Sequence, residues 1–166
     1  MKKNLILIAG LFILSNLITL NGCKKDDDSA FQLKGNYGNA NVYSGQFTVT
    51  WTLSAPAYYC DIIDNNITQA VLDYGSVQVY MNSGSNGWIA LPYTIPMSSS
   101  YSTTYAFAHY LGSVRVIKSD TDYTQTVNPG ATTFKIVCIS ASGRKANPNV
   151  NLNNYEEVKK AFNLID

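Results

Sequence analysis

The sequence predicts a mainly β protein: an antiparallel β-sandwich of about seven strands, with a short helix near 67–74 and a C-terminal helix. Three observations lead to this prediction. Short runs alternate apolar and polar residues with period two, turn-forming Gly, Asn and Pro separate these runs, and only the last segment changes to a helical period. A series of short strands separated by turns is typical of two packed antiparallel sheets.

The strand pattern is clearest where it begins. Phe47, Val49 and Trp51 alternate with threonines, as expected for a strand with one buried face. The last run differs, because Val137 and Ile139 alternate with other apolar residues, so both of its faces should be covered. The predicted strands are 46–54, 58–63, 76–81, 88–93, 104–111, 114–118 and 133–140.

The short helix at 67–74 is predicted from its two ends. Thr68 can accept a hydrogen bond from the first turn, and Gly75 can end the helix in a left-handed conformation. Loops rich in Ser, Gly and Asn separate the strands on either side of it. Since no Lys follows these glycines, they predict turns and not a phosphate-binding loop.

The C-terminal segment has the period of an amphipathic helix, predicted over 153–164. Tyr155 and Phe162 lie two turns apart, and Ile165 continues the same stripe. Asn153 and Asn154 each precede a Glu by three residues, so either can begin the helix with a capping box. A helix this short is stable only when docked, so its Tyr155/Phe162 face should cover the sheet.

The N-terminus has the features of a bacterial lipoprotein signal. Lys2 and Lys3 precede a mostly apolar run over 5–20, which is shorter than the ~20 residues that span a bilayer. Gly22 provides a small residue just before Cys23. We therefore expect cleavage before Cys23 and attachment of lipid to its thiol; the alternative is an ordinary signal peptide or anchor helix.

The residues after Cys23 form a charged segment. It resembles the lysine-plus-acidic tag of lipoproteins exported to the outer face of the bacterial outer membrane, although a solvated tether on a periplasmic lipoprotein would look the same. The expected organisation is a signal peptide over 1–22, a lipidated tether over 23–40 and a β-sandwich domain over 41–166. The tag residues are Lys24, Lys25, Asp26, Asp27 and Asp28.

Composition limits the partners. The chain has 12 basic and 11 acidic residues, a formal net charge of +1, and no basic patch interleaved with aromatic residues. Nucleic acid is therefore not an expected partner. The membrane is expected to hold the protein through lipid alone, and a glycan or protein is the expected ligand.

Catalytic and metal-binding motifs are weak in this sequence. His109 is the only histidine, and neither a Gly-x-Ser-x-Gly elbow nor a His-Glu-x-x-His motif occurs. Asp120 and Asp122 begin like a calcium loop, which lacks its central Gly and closing Glu. No catalytic residue, metal or cofactor is therefore predicted. The remaining alternative is a glycan-active hydrolase that uses two carboxylates from among Asp61, Asp64, Asp73, Asp120 and Asp122.

Aromatic residues supply the best candidates for a binding surface. The chain has 12 tyrosines and 2 tryptophans, whose flat faces and polar tips suit sugar rings or protein interfaces. Ordinary strand propensity explains most of them equally well. Tyr93, Tyr101 and Tyr105 are the candidate ligand-binding cluster.

Cys60 and Cys138 remain once Cys23 carries lipid. Both lie on apolar strand faces in an oxidising compartment, which would permit a disulfide. A small buried thiol is the favoured alternative, because free Cys packs well in a core.

The chain resembles a family of uncharacterised bacterial surface-exported lipoproteins. The resemblance lies in core and turn motifs along nearly the whole mature chain, so it implies the fold and the location but no catalytic residues. We expect a non-catalytic binding module; the alternative is an accessory lipoprotein that binds other envelope proteins. The similar stretches include 38–42, 67–69, 72–75, 77–81, 88–93, 133–137 and 154–160.

Overall fold

The computed structural model describes residues 41–123 and 127–165, and these form two antiparallel sheets packed face to face. The predicted β-sandwich is confirmed. Nine strands are present in these two ranges, because two of the seven predicted runs each divide between the sheets. The strands are β1 (Val42–Val49), β2 (Thr52–Ser54), β3 (Ala57–Ile63), β4 (Ser76–Asn82), β5 (Trp88–Ala90), β6 (Tyr93–Pro96), β7 (Ser102–Tyr110), β8 (Ser113–Asp120) and β9 (Thr132–Ile139).

The two sheets differ in size. Sheet I has the order β1-β9-β4-β5, and sheet II has the order β2-β3-β8-β7-β6. The chain changes sheet at Trp51 and again at Leu91, both of which are buried. Since these two residues fill the space between the sheets, each predicted run breaks there. The inner faces enclose the main core, which includes Phe134, Ile136 and Cys138 of the central strand β9.

Three α-helices accompany the sheets in the described residues: α1 (Gln69–Tyr74), α2 (Ala141–Ala146) and α3 (Tyr155–Phe162). Thr68 caps α1 as predicted, with its hydroxyl accepting from the amide of Val71 at 3.3 Å. Gly75 ends α1 as predicted, but it does not do so in a left-handed conformation, because its φ is −97°. A Cβ at Gly75 would lie 2.4 Å from the carbonyl oxygen of Ile139, so the position needs Gly for space.

Helix α2 was not predicted from the sequence. Its cap is Ser140, whose hydroxyl accepts from the amide of Gly143 at 2.9 Å. Gly143 is buried, and a Cβ there would lie 3.0 Å from a methyl group of Ile139. The helix therefore depends on close contact with sheet I, which a local sequence pattern does not reveal.

Helix α3 covers the outer face of sheet I. Tyr155 and Phe162 are buried against it as predicted, together with Val158. Asn154 is the cap, and its side-chain oxygen accepts from the amides of Glu156 and Glu157.

The predicted extent of α3, 153–164, is too long. Asn163 adopts a left-handed conformation with φ 52° and ends the helix. This turn buries Leu164 and leaves Ile165 exposed, so Leu164 and not Ile165 completes the apolar contact. No helix in the described part of the chain is long and apolar enough to cross a membrane.

Candidate functional site

The three candidate tyrosines lie near one end of sheet II. Tyr93 of β6 is the antiparallel partner of Tyr105 of β7, and Tyr101 lies in the loop that joins these strands. All three are partly buried. Tyr93 and Tyr105 both pack on the main core, so the tyrosines do not form an exposed strip. Tyr101 and Tyr105 instead line a cavity, whereas Tyr93 does not.

This cavity, the sandwich-end cavity, has a volume of about 260 Å³. It lies where the loop before β7 meets the segment that leads into β9. Its apolar walls come from Ile95, Met97, Val127 and Pro129. Its polar lining comes from Tyr101, Thr103, Tyr105, Lys118, Asp120 and Asn128.

The floor of the cavity is a buried cluster of Thr103, Lys118 and Asp120, which are 4%, 6% and 2% exposed. Strand alternation turns all three side chains inward, and the register of β7 and β8 pairs Thr103 with Asp120. Lys118 Nζ lies 2.5 Å from Asp120 Oδ2, and Thr103 Oγ1 donates to Asp120 Oδ1 at 2.5 Å. Both carboxylate oxygens therefore have a partner, as a buried charge requires.

The floor keeps some hydrogen-bonding capacity. The Lys118 ammonium has three N–H groups, and besides Asp120 it reaches only the carbonyl of Val127, at 3.4 Å, among the described residues. Each oxygen of Asp120 has further lone pairs. A ligand in the cavity would therefore meet both a donor and an acceptor at the floor.

Tyr105 forms the back wall. Its ring meets Trp51 edge to face, with centroids 6.0 Å apart, and Trp51 in turn meets Phe134. Burial raises the pKa of the Tyr105 phenol, and the negative charge of Asp120 raises it further. The hydroxyl thus keeps its proton at neutral pH. Within residues 41–123 and 127–165, neither this hydroxyl nor that of Tyr101 makes a hydrogen bond.

The aspartates proposed for hydrolysis have separate surroundings. Asp61 binds Arg115 on the outer face of sheet II, with two contacts of 2.7 Å, and the pKa of its carboxyl is lowered by that hydrogen bond. Asp73 accepts from Gln69 on α1. Asp64 is buried at the end of β3, where burial raises its pKa. Among the described residues that line the sandwich-end cavity, Asp120 is the only carboxylate.

His109 and the possible metal-ligating side chains lie apart from the sandwich-end cavity or from one another. His109 is exposed, with its ring 6.1 Å from that of Phe107. Nowhere in the described ranges do three His, Cys, Asp or Glu side chains come together in a way that could hold a metal ion.

Both described cysteines are free and buried. Burial raises the pKa of the Cys60 thiol to about 11, and burial also raises that of Cys138, with a further contribution from Asp64. Both side chains are therefore thiols, not thiolates, at neutral pH, and they behave as core residues. The prediction for Cys23 and the tag from Lys24 to Asp28 lies outside the described residues.

A second buried lysine lies on the other sheet. Lys135 of β9, 2% exposed, lies beneath α3, and its ammonium is 4.4 Å from the ring centre of Trp88 and 4.5 Å from that of Tyr155. It also donates to the Tyr155 hydroxyl at 2.7 Å. Neither buried lysine was predicted, and the only signal for either in the sequence is its place in an alternating strand.

Comparison with known proteins identifies no relative from which a function could be inferred. No protein-family model, curated protein or solved structure matches this chain. The function is therefore inferred from the residues of the sandwich-end cavity.

Proposed function

We propose that this protein is a lipid-anchored, surface-exposed module of the bacterial outer membrane that binds glycan without catalysis. One observation carries the binding proposal: a cavity whose lining combines two tyrosine hydroxyls that have no hydrogen-bond partner among the described residues with a charge-compensated polar floor. Small-ligand sites likewise combine apolar and aromatic walls with a few convergent polar groups.

Glycan suits this cavity better than protein because of its size and depth. A cavity of about 260 Å³ can admit a small group but cannot provide a protein interface, which buries on the order of 800 Å² on each partner. Tyrosine faces and apolar walls suit the C–H face of a sugar ring, while the floor suits its hydroxyls.

The location rests on the sequence alone. The n-region, the short apolar run and Cys23 support lipid attachment, and the acidic tag from Asp26 to Asp28 supports export. Cys23→Ser should abolish palmitate labelling, and labelling that persists would contradict lipid attachment. Protease added to intact cells should cleave the parent protein, and replacing the three aspartates with Ala should protect it; a parent protein that resists cleavage would place it in the periplasm.

A glycan array probed with the full chain tests the binding proposal. We expect a limited set of glycans to bind, and Tyr101→Ala should abolish the signal because it removes one wall of the cavity. Tyr110→Ala is the matched control, since Tyr110 is an exposed tyrosine at the far end of the same sheet. Loss of binding in both variants, or in neither, would contradict the assignment to this cavity.

The accessory role, binding to other envelope proteins, has one observation in its favour. The turn between β7 and β8 exposes Leu111 and Tyr110, and Ile63 of the neighbouring strand is 68% exposed. Exposed apolar residues that cluster in this way are common at protein interfaces. Leu111→Ser should then abolish capture of an envelope protein while glycan binding is unchanged.

The hydrolase alternative gains no such support. Glycoside cleavage needs two carboxyl groups about 5–9.5 Å apart, and the described lining of the cavity supplies Asp120 alone.

A further inference from the structure

We propose that the sandwich-end cavity binds one neutral sugar unit, so that the protein recognises the end of a glycan chain or a free monosaccharide and not the middle of a chain. This inference rests on the proposed glycan binding and specifies which part of the glycan is bound.

The depth of the cavity supports binding at a chain end. Thr103, Lys118 and Asp120 are each less than a tenth exposed, so the floor is part of the protein interior. Behind the cavity, Tyr105 is backed by Trp51 and Phe134 of the core. A chain that passed through would need a second exit on this side, where packed side chains lie. A glycan must therefore enter with its end first.

The volume limits the ligand to about one ring. Pockets for drug-sized ligands have volumes of about 300–1,000 Å³. The sandwich-end cavity, at about 260 Å³, is below that range. Two linked sugars would leave the second unit outside, in contact with the rim at Met97 and Tyr101.

The charges favour a neutral sugar. Lys118 and Asp120 compensate one another at the floor, and the two carboxylate oxygens already accept hydrogen bonds. An acidic sugar would bring a second negative charge next to Asp120 with no additional cation among the described lining residues. Burying a charge without a partner is costly, so acidic sugars should be excluded.

The hydrogen-bonding groups match sugar hydroxyls. A hydroxyl both donates and accepts, and the floor offers a lysine N–H beside carboxylate lone pairs. The hydroxyls of Tyr101 and Tyr105 add two groups of the same dual kind. Tyr105 also pairs with Lys118 across β7 and β8, so its side chain stands on the same face as the floor.

A chain-length series tests this inference with the full-length protein. The probes are the methyl glycosides of glucose, galactose, mannose and N-acetylglucosamine, with linear dimers and hexamers of whichever sugar binds. We expect Kd to change by no more than about threefold from one unit to six, less than half of the 1.4 kcal/mol that a tenfold change represents. A gain of tenfold or more with length would overturn binding at a chain end while glycan binding itself would stand.

The charge of the sugar is tested in the same assay. The uronate of whichever sugar binds, glucuronate in the case of glucose, should bind at least about tenfold more weakly than the neutral sugar, because its carboxylate would lie near Asp120. Equal or tighter binding of the uronate would overturn the neutral-sugar part of the inference. If no sugar of any length binds, the proposed function itself fails, which is a distinguishable result.

Tyr105→Phe tests whether the sugar binds in the sandwich-end cavity while disturbing the fold very little. It removes only a hydroxyl that makes no hydrogen bond with a described residue, so the melting temperature should not fall. Affinity for the monosaccharide should drop by about three- to tenfold, as for the loss of one hydrogen bond. Tyr110→Phe, at the exposed far end of β7, is the control and should bind like the parent. Unchanged affinity in Tyr105→Phe would contradict the proposed contact.

Discussion

The two buried lysines show two ways of keeping a cation inside a small β-sandwich. Lys118 lies on the inner face of sheet II beside a cavity, and its charge is balanced by the carboxylate of Asp120 at 2.5 Å. Lys135 lies on the outer face of sheet I beneath α3, where Trp88 and Tyr155 place their rings over the ammonium. The carboxylate of Asp120 keeps lone pairs that a ligand can share, whereas the two rings over Lys135 pack into the apolar cluster beneath α3. The first arrangement suits a binding site, and the second suits a closed core.

The ion pair beside the cavity should show the largest effect when broken. Lys118→Met leaves Asp120 buried and without a cation, so the free energy of unfolding should fall by about 3–5 kcal/mol. Urea denaturation of the parent and the variant measures the difference. Adding Asp120→Asn to Lys118→Met should recover most of it, because the uncompensated charge disappears. A loss below about 1 kcal/mol in the single variant would show that solvent reaches the pair.

The packing of α3 over Lys135 should contribute nearly as much to the free energy of unfolding. Phe162 is fully buried between α3 and sheet I, and Phe162→Ala should lower the free energy of unfolding by about 3–5 kcal/mol. Lys160→Ala, on the exposed side of the same helix, should change it by less than about 0.5 kcal/mol. If Phe162→Ala leaves stability unchanged and instead abolishes binding to an envelope partner, α3 is an interaction element.

Asp64 extends the comparison of buried charged groups, because it is a buried carboxylate with hydrogen bonds to only one of its two oxygens among the described residues. Its Oδ1 accepts two hydrogen bonds from Asn66, while its Oδ2 is buried and has no partner within the described ranges. Burial raises the pKa of Asp64 in the folded state above its value in the unfolded chain. The contribution of this carboxyl group to the free energy of unfolding is therefore fully present below about pH 4, the unfolded pKa, and is lost as the pH rises through the folded pKa.

Asp64→Asn should therefore increase the free energy of unfolding at pH 7, by about 1 kcal/mol, because the amide oxygen can still accept both bonds without a charge. The gain should shrink as the pH falls through the folded pKa, because the parent carboxyl then becomes protonated. Asp73→Asn, at an exposed position on α1, is the control and should change stability little at either pH. A gain that is constant from pH 4 to 7 would contradict the effect of charge burial.

The smallest expected effect is at the end of α3. Asn163 holds a left-handed conformation, with φ 52° and ψ 44°, which Gly adopts without steric cost. Asn163→Gly should raise the free energy of unfolding by a few tenths of a kcal/mol and at most about 1. Asn163→Val should lower it, since a β-branched residue is strained there. A destabilising Gly variant would show that the Asn side chain makes a needed contact.

The sequence predicted those parts of the fold that depend on local pattern. Alternation identified the strands, and the cap at Thr68 was correctly placed because it depends on neighbouring residues. Asn154 was one of two candidate caps, with Asn153, and the structure has the former. The sheet changes at Trp51 and Leu91 could not be predicted, since both residues continue an unbroken apolar pattern. Helix α2 was missed because its close approach at Gly143 depends on sheet I.

The candidate site was predictable only in part, for the same physical reason. Tyr101 and Tyr105 could be named as aromatics beside a strand, but their cavity depends on how β7 and β8 align. That register places Thr103 opposite Asp120 and Tyr105 opposite Lys118. In the sequence Lys118 looks like the exposed end of a strand, and only the inward direction of its face makes it a floor residue.

The chain has two tryptophans, one behind the sandwich-end cavity and one beneath α3. Their intrinsic fluorescence can therefore report on these two regions. Trp51 touches Tyr105 behind the cavity, and its indole N–H donates to the hydroxyl of Thr132 at 3.1 Å. Trp88 contacts Tyr155 and Lys135 under α3. In Trp88→Phe, the emission of Trp51 alone would follow events at the cavity; in Trp51→Phe, that of Trp88 alone would follow the docking of α3. Occupancy of one region and opening of the other can thus be recorded separately and without an attached dye.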